Sequence, residues 1–204
     1  MTSAFQNVIN NAESIAIFKR KKIAQTAARD GTVKATSIGG QLWEFSVKLP
    51  DGPAWSEYRG IIEQMEALDR VSTGEVQISS AGQSWISGYQ GNLIDVSGIT
   101  VSYTSGNTLT LTGGDTLGSG YKFKAGDLIQ LGTTGGVYSV IADVAYNSTS
   151  VQVHRPIREA AGNYTLVVGQ NVKWNVICVQ FPRWRIFARD QVGWDGDFIF
   201  VEAV

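Results

Sequence analysis

Gln41-Leu42-Trp43-Glu44-Phe45-Ser46-Val47-Lys48-Leu49, followed by Pro50-Asp51-Gly52-Pro53, is the stretch whose reading decides the fold. Trp43, Phe45, Val47 and Leu49 fall on one face of a period-two pattern and Glu44, Ser46 and Lys48 on the other, which predicts a half-buried strand. Two prolines stop it, since Pro cannot donate to a ladder but suits the first turn of a helix. From Pro53 to Asp69 the period changes. Trp55, Tyr58, Ile61, Ile62, Met65 and Leu68 form one helical stripe. Ser72-Thr73-Gly74 ends the helix, and Glu75 to Ser79 alternates again as a strand. This strand–helix–strand unit contains the one helix the pattern supports. The rest reads as short strands and turns, so the chain is mainly β.

Upstream, Met1 to Glu13 is polar and weakly patterned and reads as a loosely held arm. Ser14 to Phe18 is a short strand. Lys19-Arg20-Lys21-Lys22 follows it, either as a solvated hairpin end or as a contact to an acidic partner surface. Asp30-Gly31 between two alternating runs is a strong hairpin signal.

Downstream, the texture becomes rich in Gly and Thr. Five short strands are expected here: Ile99–Tyr103, Thr108–Thr112, Leu128–Leu131, Val137–Val144 and Thr149–His154. Their spacing predicts a small closed barrel of OB-like type. Aromatic weight returns in Val172 to Phe181, in a second stretch from Trp184 and in Phe198 to Glu202. An aromatic-rich start and end around this middle predict two domains. The outer one is 1–87 plus 170–204, and the insert is 88–169.

Composition narrows the function classes. The 204 residues carry a net charge of −1, which does not announce a nucleic-acid binder. Only 17% are charged, against roughly 25% in typical soluble domains, which suits surfaces hidden in an assembly. The single Cys178 excludes an internal disulfide and a Cys-based zinc site. No signal peptide is read at the start, and no apolar run reaches the roughly 20 residues of a membrane span. His154 is the only histidine, and no nucleophile motif accompanies it. Gly132-Thr133-Thr134-Gly135-Gly136 lacks the Lys-Ser/Thr ending of a phosphate loop and reads as a tight turn. Asp195-Gly196-Asp197 lacks the calcium-loop pattern. Catalytic, metal and cofactor sites are therefore all expected to be absent. Trp184 and Trp194 stand in polar, turn-like settings beside Arg183 and Asp195. Exposed Trp makes them candidate interface anchors, together with Lys19, Arg20, Lys21 and Lys22.

The order of parts carries a resemblance. It runs from a basic hairpin to Gly-Gly-Gln-x-Trp-x-Phe-x-Val-x-Leu-Pro at 39–50, one helix and a Thr-Gly turn. A β insert follows, with Lys-Ala-Gly-Asp-Leu at 124–128 and Val-Tyr-x-Val at 137–140, then a last strand with Phe-Val-Glu-Ala at 200–203. This resembles the distal tail proteins of long-tailed bacteriophages. The resemblance implies a tail-tube-like β-sandwich or barrel with one flanking helix and an inserted OB-like barrel. It also implies a homohexameric ring at the tail tip, joining the tail tube to the hub or baseplate and receptor-binding apparatus, around a lumen for the genome. Such a protein is made in the host cytoplasm and resides in the virion. DNA meets it only in transit, and it does not insert into a membrane. The basic cluster would then face another protomer or a neighbouring tail protein rather than the lumen. A carbohydrate- or oligonucleotide-binding module built on the insert is the alternative, and a glycan hydrolase comes third.

Overall fold

The computed structural model describes all residues except 1–2, 20–22, 28, 30, 38–39, 69–70, 80–81, 94–97, 114–118, 188 and 204. The chain is mainly β: seventeen strands and two α-helices are present among the described residues. It divides into two compact units, Met1–Gly74 with Asn175–Val204, and Glu75–Trp174.

The first unit begins with a helix, α1 (Ala4–Asn10), where the sequence pattern had suggested a loose arm. Two local features explain it. The Ser3 side chain caps the first turn by accepting from the Gln6 N–H at 3.1 Å. Phe5, Val8 and Ile9, at helical spacing, are all buried. A seven-residue helix is marginal alone, so it is the burial of this stripe that holds it. Next come β1 (Ser14–Phe18), β2 (Ile23–Ala27), β3 (Val33–Ser37) and β4 (Glu44–Lys48). The strands β2 and β3 form an antiparallel hairpin of their own, and Gly31 in its turn takes φ +83°. The strand β4 fulfils the alternation: Trp43, Phe45, Val47 and Leu49 are buried while Glu44 and Lys48 are exposed.

The predicted helix is α2 (Trp55–Glu66), with Tyr58, Ile61, Ile62 and Met65 buried. Its N-cap, Ala54, makes no side-chain cap bond. The Trp55 N–H instead donates to the Asp190 carbonyl at 2.8 Å, so a distant loop satisfies one of the helix's orphan donors. A short strand, β5 (Thr73–Val76), follows. At Gly74 an added Cβ would lie 2.7 Å from the Phe5 ring, so the glycine there admits α1's aromatic.

The second unit carries β6 (Ile99–Tyr103), β7 (Thr108–Gly113), β8 (Tyr121–Phe123), β9 (Leu128–Leu131), β10 (Val137–Ser139), β11 (Val144–Ala145), β12 (Ser150–Gln152) and β13 (Gly162–Val168). Its main sheet runs β10-β9-β13-β6-β7-β12, with β8 and β11 as a separate ribbon. The two edges meet. Val140 bridges Val153, and bonds from Ile141 N to Gln152 O and from His154 N to Ser139 O join the strands beyond β10 and β12. The sheet thus curls back on itself around Phe123, Ile129, Tyr138, Val151 and their neighbours.

The expectation of five strands undercounts this sheet. Strand β13, seven residues long, pairs with β6 in its first half and β9 in its second. The unit is also wider than 88–169. Gln77 Nε2 donates to the Gln170 carbonyl at 2.6 Å. Gln130 Nε2 donates to the Lys173 carbonyl at 2.9 Å, and Lys173 N donates back to Gln130 Oε1 at 3.0 Å. Those bonds draw the flanking segments into the unit.

The chain returns to the first unit as β14 (Trp174–Gln180), β15 (Arg183–Phe187), β16 (Gln191–Asp195) and β17 (Phe198–Glu202). The five-stranded sheet has the order β1-β4-β17-β14-β5. Its central strand β17 stacks Phe198 on Phe200, and Phe5 of α1 meets Phe200 edge-on at 5.3 Å. The sequence expected α2 to cover the face of Trp43 and Phe45. Its apolar stripe, Tyr58, Ile61, Ile62 and Met65, is buried as expected, and the backbones of α1 and β16 come close to it. Two aromatic contacts also tie α2 to β15 and β16: Trp55 stacks on Trp184 at 5.1 Å and Tyr58 meets Trp194 at 6.0 Å.

Candidate functional site

Of the six interface candidates, Arg20, Lys21 and Lys22 lie outside the described residues. Lys19 is tied to its own domain. Its ammonium stands 5.2 Å over the Trp43 ring, and Gln41 Nε2 donates to its carbonyl. Loss of water around that ammonium lowers its pKa, although the residue as a whole is exposed.

Trp184 and Trp194 do not sit in turns. They are on β15 and β16 and face each other across the ladder. The signal was hidden because the connecting turn uses no glycine: Arg189 and Asp190 take φ +69° and +62°, a region non-glycine residues rarely enter. Both indoles are half-buried. Trp184 Nε1 donates to Glu66 Oε1 at 2.9 Å, and Trp194 packs on Phe198 at 5.4 Å. The tryptophan that stands out of the surface is Trp85, 75% exposed in a short 3-10 turn, Ser84–Ile86, of the second unit.

Among the described residues, two exposed features of the first unit stand out. One is the hairpin β2–β3, whose described side chains at 24–27 and 33–36 are all exposed, Val33 among them at 64%. The other is an apolar groove of about 530 Å³, walled by Phe5, Met65, Leu68, Val179, Phe181, Pro182 and Trp184, with Glu66 and Arg183 as its polar members. Cys178 also lines it. It is half-buried, and its thiol donates to the Gln180 carbonyl at 3.2 Å.

The residues examined for chemistry have structural partners. His154 Nδ1 accepts from the Ser139 N–H at 2.9 Å, which puts the ring's own proton on Nε2 in the neutral form. In the 132–136 turn, Gly136 N donates to Glu159 Oε1 at 2.5 Å, so that amide faces a carboxylate rather than a free anion site. A Cβ on Gly135 would sit 2.2 Å from the Leu131 carbonyl. Asp197, after the Gly196 turn at φ +103°, accepts from the Ser46 hydroxyl at 2.5 Å. The buried Asp127 accepts from Gln90 N and Lys124 N at 2.8 and 2.7 Å. Burial raises its pKa against these two bonds. Among the described residues there is no group of three or more His, Cys, Asp or Glu able to hold a metal, and no helix is long and apolar enough to cross a membrane.

Among the described residues, Tyr138 is strongly perturbed. Its hydroxyl donates to Glu159 Oε2 and accepts from Arg158 N at 3.0 Å. Burial first, and then the bond to Glu159, push it up to about 12. The unfolded tyrosine ionises near 10. Its contribution to stability is therefore complete below pH 10 and is lost as pH rises through 12. Tyr138→Phe should cost about 1–3 kcal/mol at pH 7, because Glu159 and the Arg158 N–H lose a buried partner. The gap between wild type and variant should narrow above pH 10. Urea unfolding at pH 9 and pH 11 checks this, and a constant gap would remove Tyr138 as the titrating group.

No protein-family model matches the chain, and no curated protein matches its sequence.

Proposed function

We propose that this chain is a non-enzymatic structural protein of the virion, forming a ring at the distal end of a bacteriophage tail. In this reading the first unit is the tail-tube-like domain and the second an OB-like barrel. The ring joins the tail tube to the hub or baseplate, and DNA meets it only in passage. The order of sequence motifs supports the tail assignment. The observation that carries self-association is the exposed hairpin β2–β3. A two-stranded hairpin with no covering is marginal in water, and open edges such as that of β1 invite pairing with another chain. A heterologous contact of the right rotation closes into a ring.

Light scattering on the purified protein over a range of concentrations and salt is the test. A closed oligomer, six-fold by the resemblance, is expected. A strict monomer throughout, with no ring seen on isolated virions, defeats the reading. Replacing Lys19, Arg20, Lys21 and Lys22 together by Ser should weaken assembly more at low salt, because 0.1 M salt already screens exposed charges beyond about 10 Å. Exposed Trp85 favours the second reading, a glycan- or oligonucleotide-binding module, and binding assays on the monomer address it.

A further inference from the structure

Among the described residues, β15 pairs with β16 alone, in a two-stranded sheet, so every second N–H and C=O along it points away from that partner. Its side chains are unusually bare for a strand joined to a core: Arg183, Arg185, Ile186 and Phe187 are all exposed, the last two at 48% and 46%. The apolar groove opens at its beginning, where Pro182, Arg183 and Trp184 form part of the wall.

The alternation of β15 gives its two faces different chemistry. Trp184 and Ile186 fall on one face, where Trp184 walls the groove, and Arg183, Arg185 and Phe187 fall on the other, Arg183 also bordering the groove. Neither arginine is in an ion pair among the described residues. Asp195 lies opposite Arg183 across the ladder without reaching it, and Arg185 lies opposite Gly193, which has no side chain to offer. Phe187 fills that space, since a Cβ on Gly193 would stand 2.2 Å from its ring, and the Arg185 guanidinium stacks on Phe187 at 4.7 Å. A strand laid along β15 would therefore meet two cations and the Phe187 ring on one face and two apolar side chains on the other. Directly opposed residues of opposite charge, and apolar pairs, are what stabilise neighbouring strands.

We propose that β15 receives an extended segment of a partner protein as an added strand, with carboxylates opposite Arg183 and Arg185 and apolar side chains on the face of Trp184 and Ile186, the first of them seated in the groove. This is main-chain capture at a sheet edge, with pockets supplying the specificity. It is a different surface from the hairpin β2–β3 and does not depend on ring formation.

The probe is a synthetic acetylated, amidated heptapeptide, Glu-Ile-Glu-Val-Glu-Phe-Glu, titrated into the full chain and followed by tryptophan fluorescence and calorimetry. Two control peptides carry Lys in place of Glu, or N-methyl groups on alternate amides. The acidic peptide should bind at least about tenfold more tightly than either control, and more weakly as salt rises. Arg185→Glu, an exposed change whose folding is checked by circular dichroism, should lose at least about tenfold for the acidic peptide. It should leave the particle mass by light scattering unchanged. Equal binding of the lysine peptide, or undiminished binding to the Arg185→Glu variant, overturns the proposal. So does loss of the protein's own oligomer in that variant, which would make a second copy the occupant. A heptapeptide with no detectable binding at millimolar concentration overturns it as well.

Discussion

Replacing Phe200 by Ala should lower the stability of the first unit by about 3–5 kcal/mol, the range for removing a fully buried aromatic. Phe200 is 0% exposed on β17, the central strand, flanked by β4 and β14. Its ring is stacked on Phe198 and meets Phe5 of α1 edge-on. The change therefore removes apolar burial, leaves a cavity and deletes two ring–ring contacts, each worth about 0.5–1.5 kcal/mol beyond burial. Because Phe5 loses its partner, α1 should fray first. Hydrogen exchange in α1 should rise more than in α2, and chemical unfolding should report the total. A loss under 1 kcal/mol would mean that the rings around Phe200 close over the gap.

Ile62→Ala should cost about 2–5 kcal/mol, and Glu63→Ala should stay within about 0.5 kcal/mol, as exposed substitutions generally do. The contrast is sharp because the residues are adjacent. Ile62 is 0% exposed on the face of α2 turned toward the core, while Glu63 points to solvent. Ala has the higher helix propensity, so the loss at Ile62 reports packing rather than helix formation. Equal, small shifts in melting temperature for the two variants would reject the assigned face of the helix.

Elements whose signal is local were legible from the residues alone. The alternation of Trp43 to Leu49, the helical stripe from Tyr58 to Met65, the hairpin around Gly31 and the strands Ile99–Tyr103 and Thr108–Thr112 need only near neighbours for their reading. Each appears where expected. Tertiary structure decided the rest. Helix α1 exists because Phe5, Val8 and Ile9 find a core, a fact seven weakly patterned residues do not announce. Strand β16, and with it the settings of Trp184 and Trp194, depends on a turn at Arg189 and Asp190 that lacks the glycine marking left-handed backbone. The limits of the second unit are set by hydrogen bonds between residues as far apart as Gln77 and Gln170, or Gln130 and Lys173. The exposure of Trp85 and of β15 is equally a property of what does not pack there. A side chain's type states which environment it prefers, and only the folded chain states whether that environment is supplied.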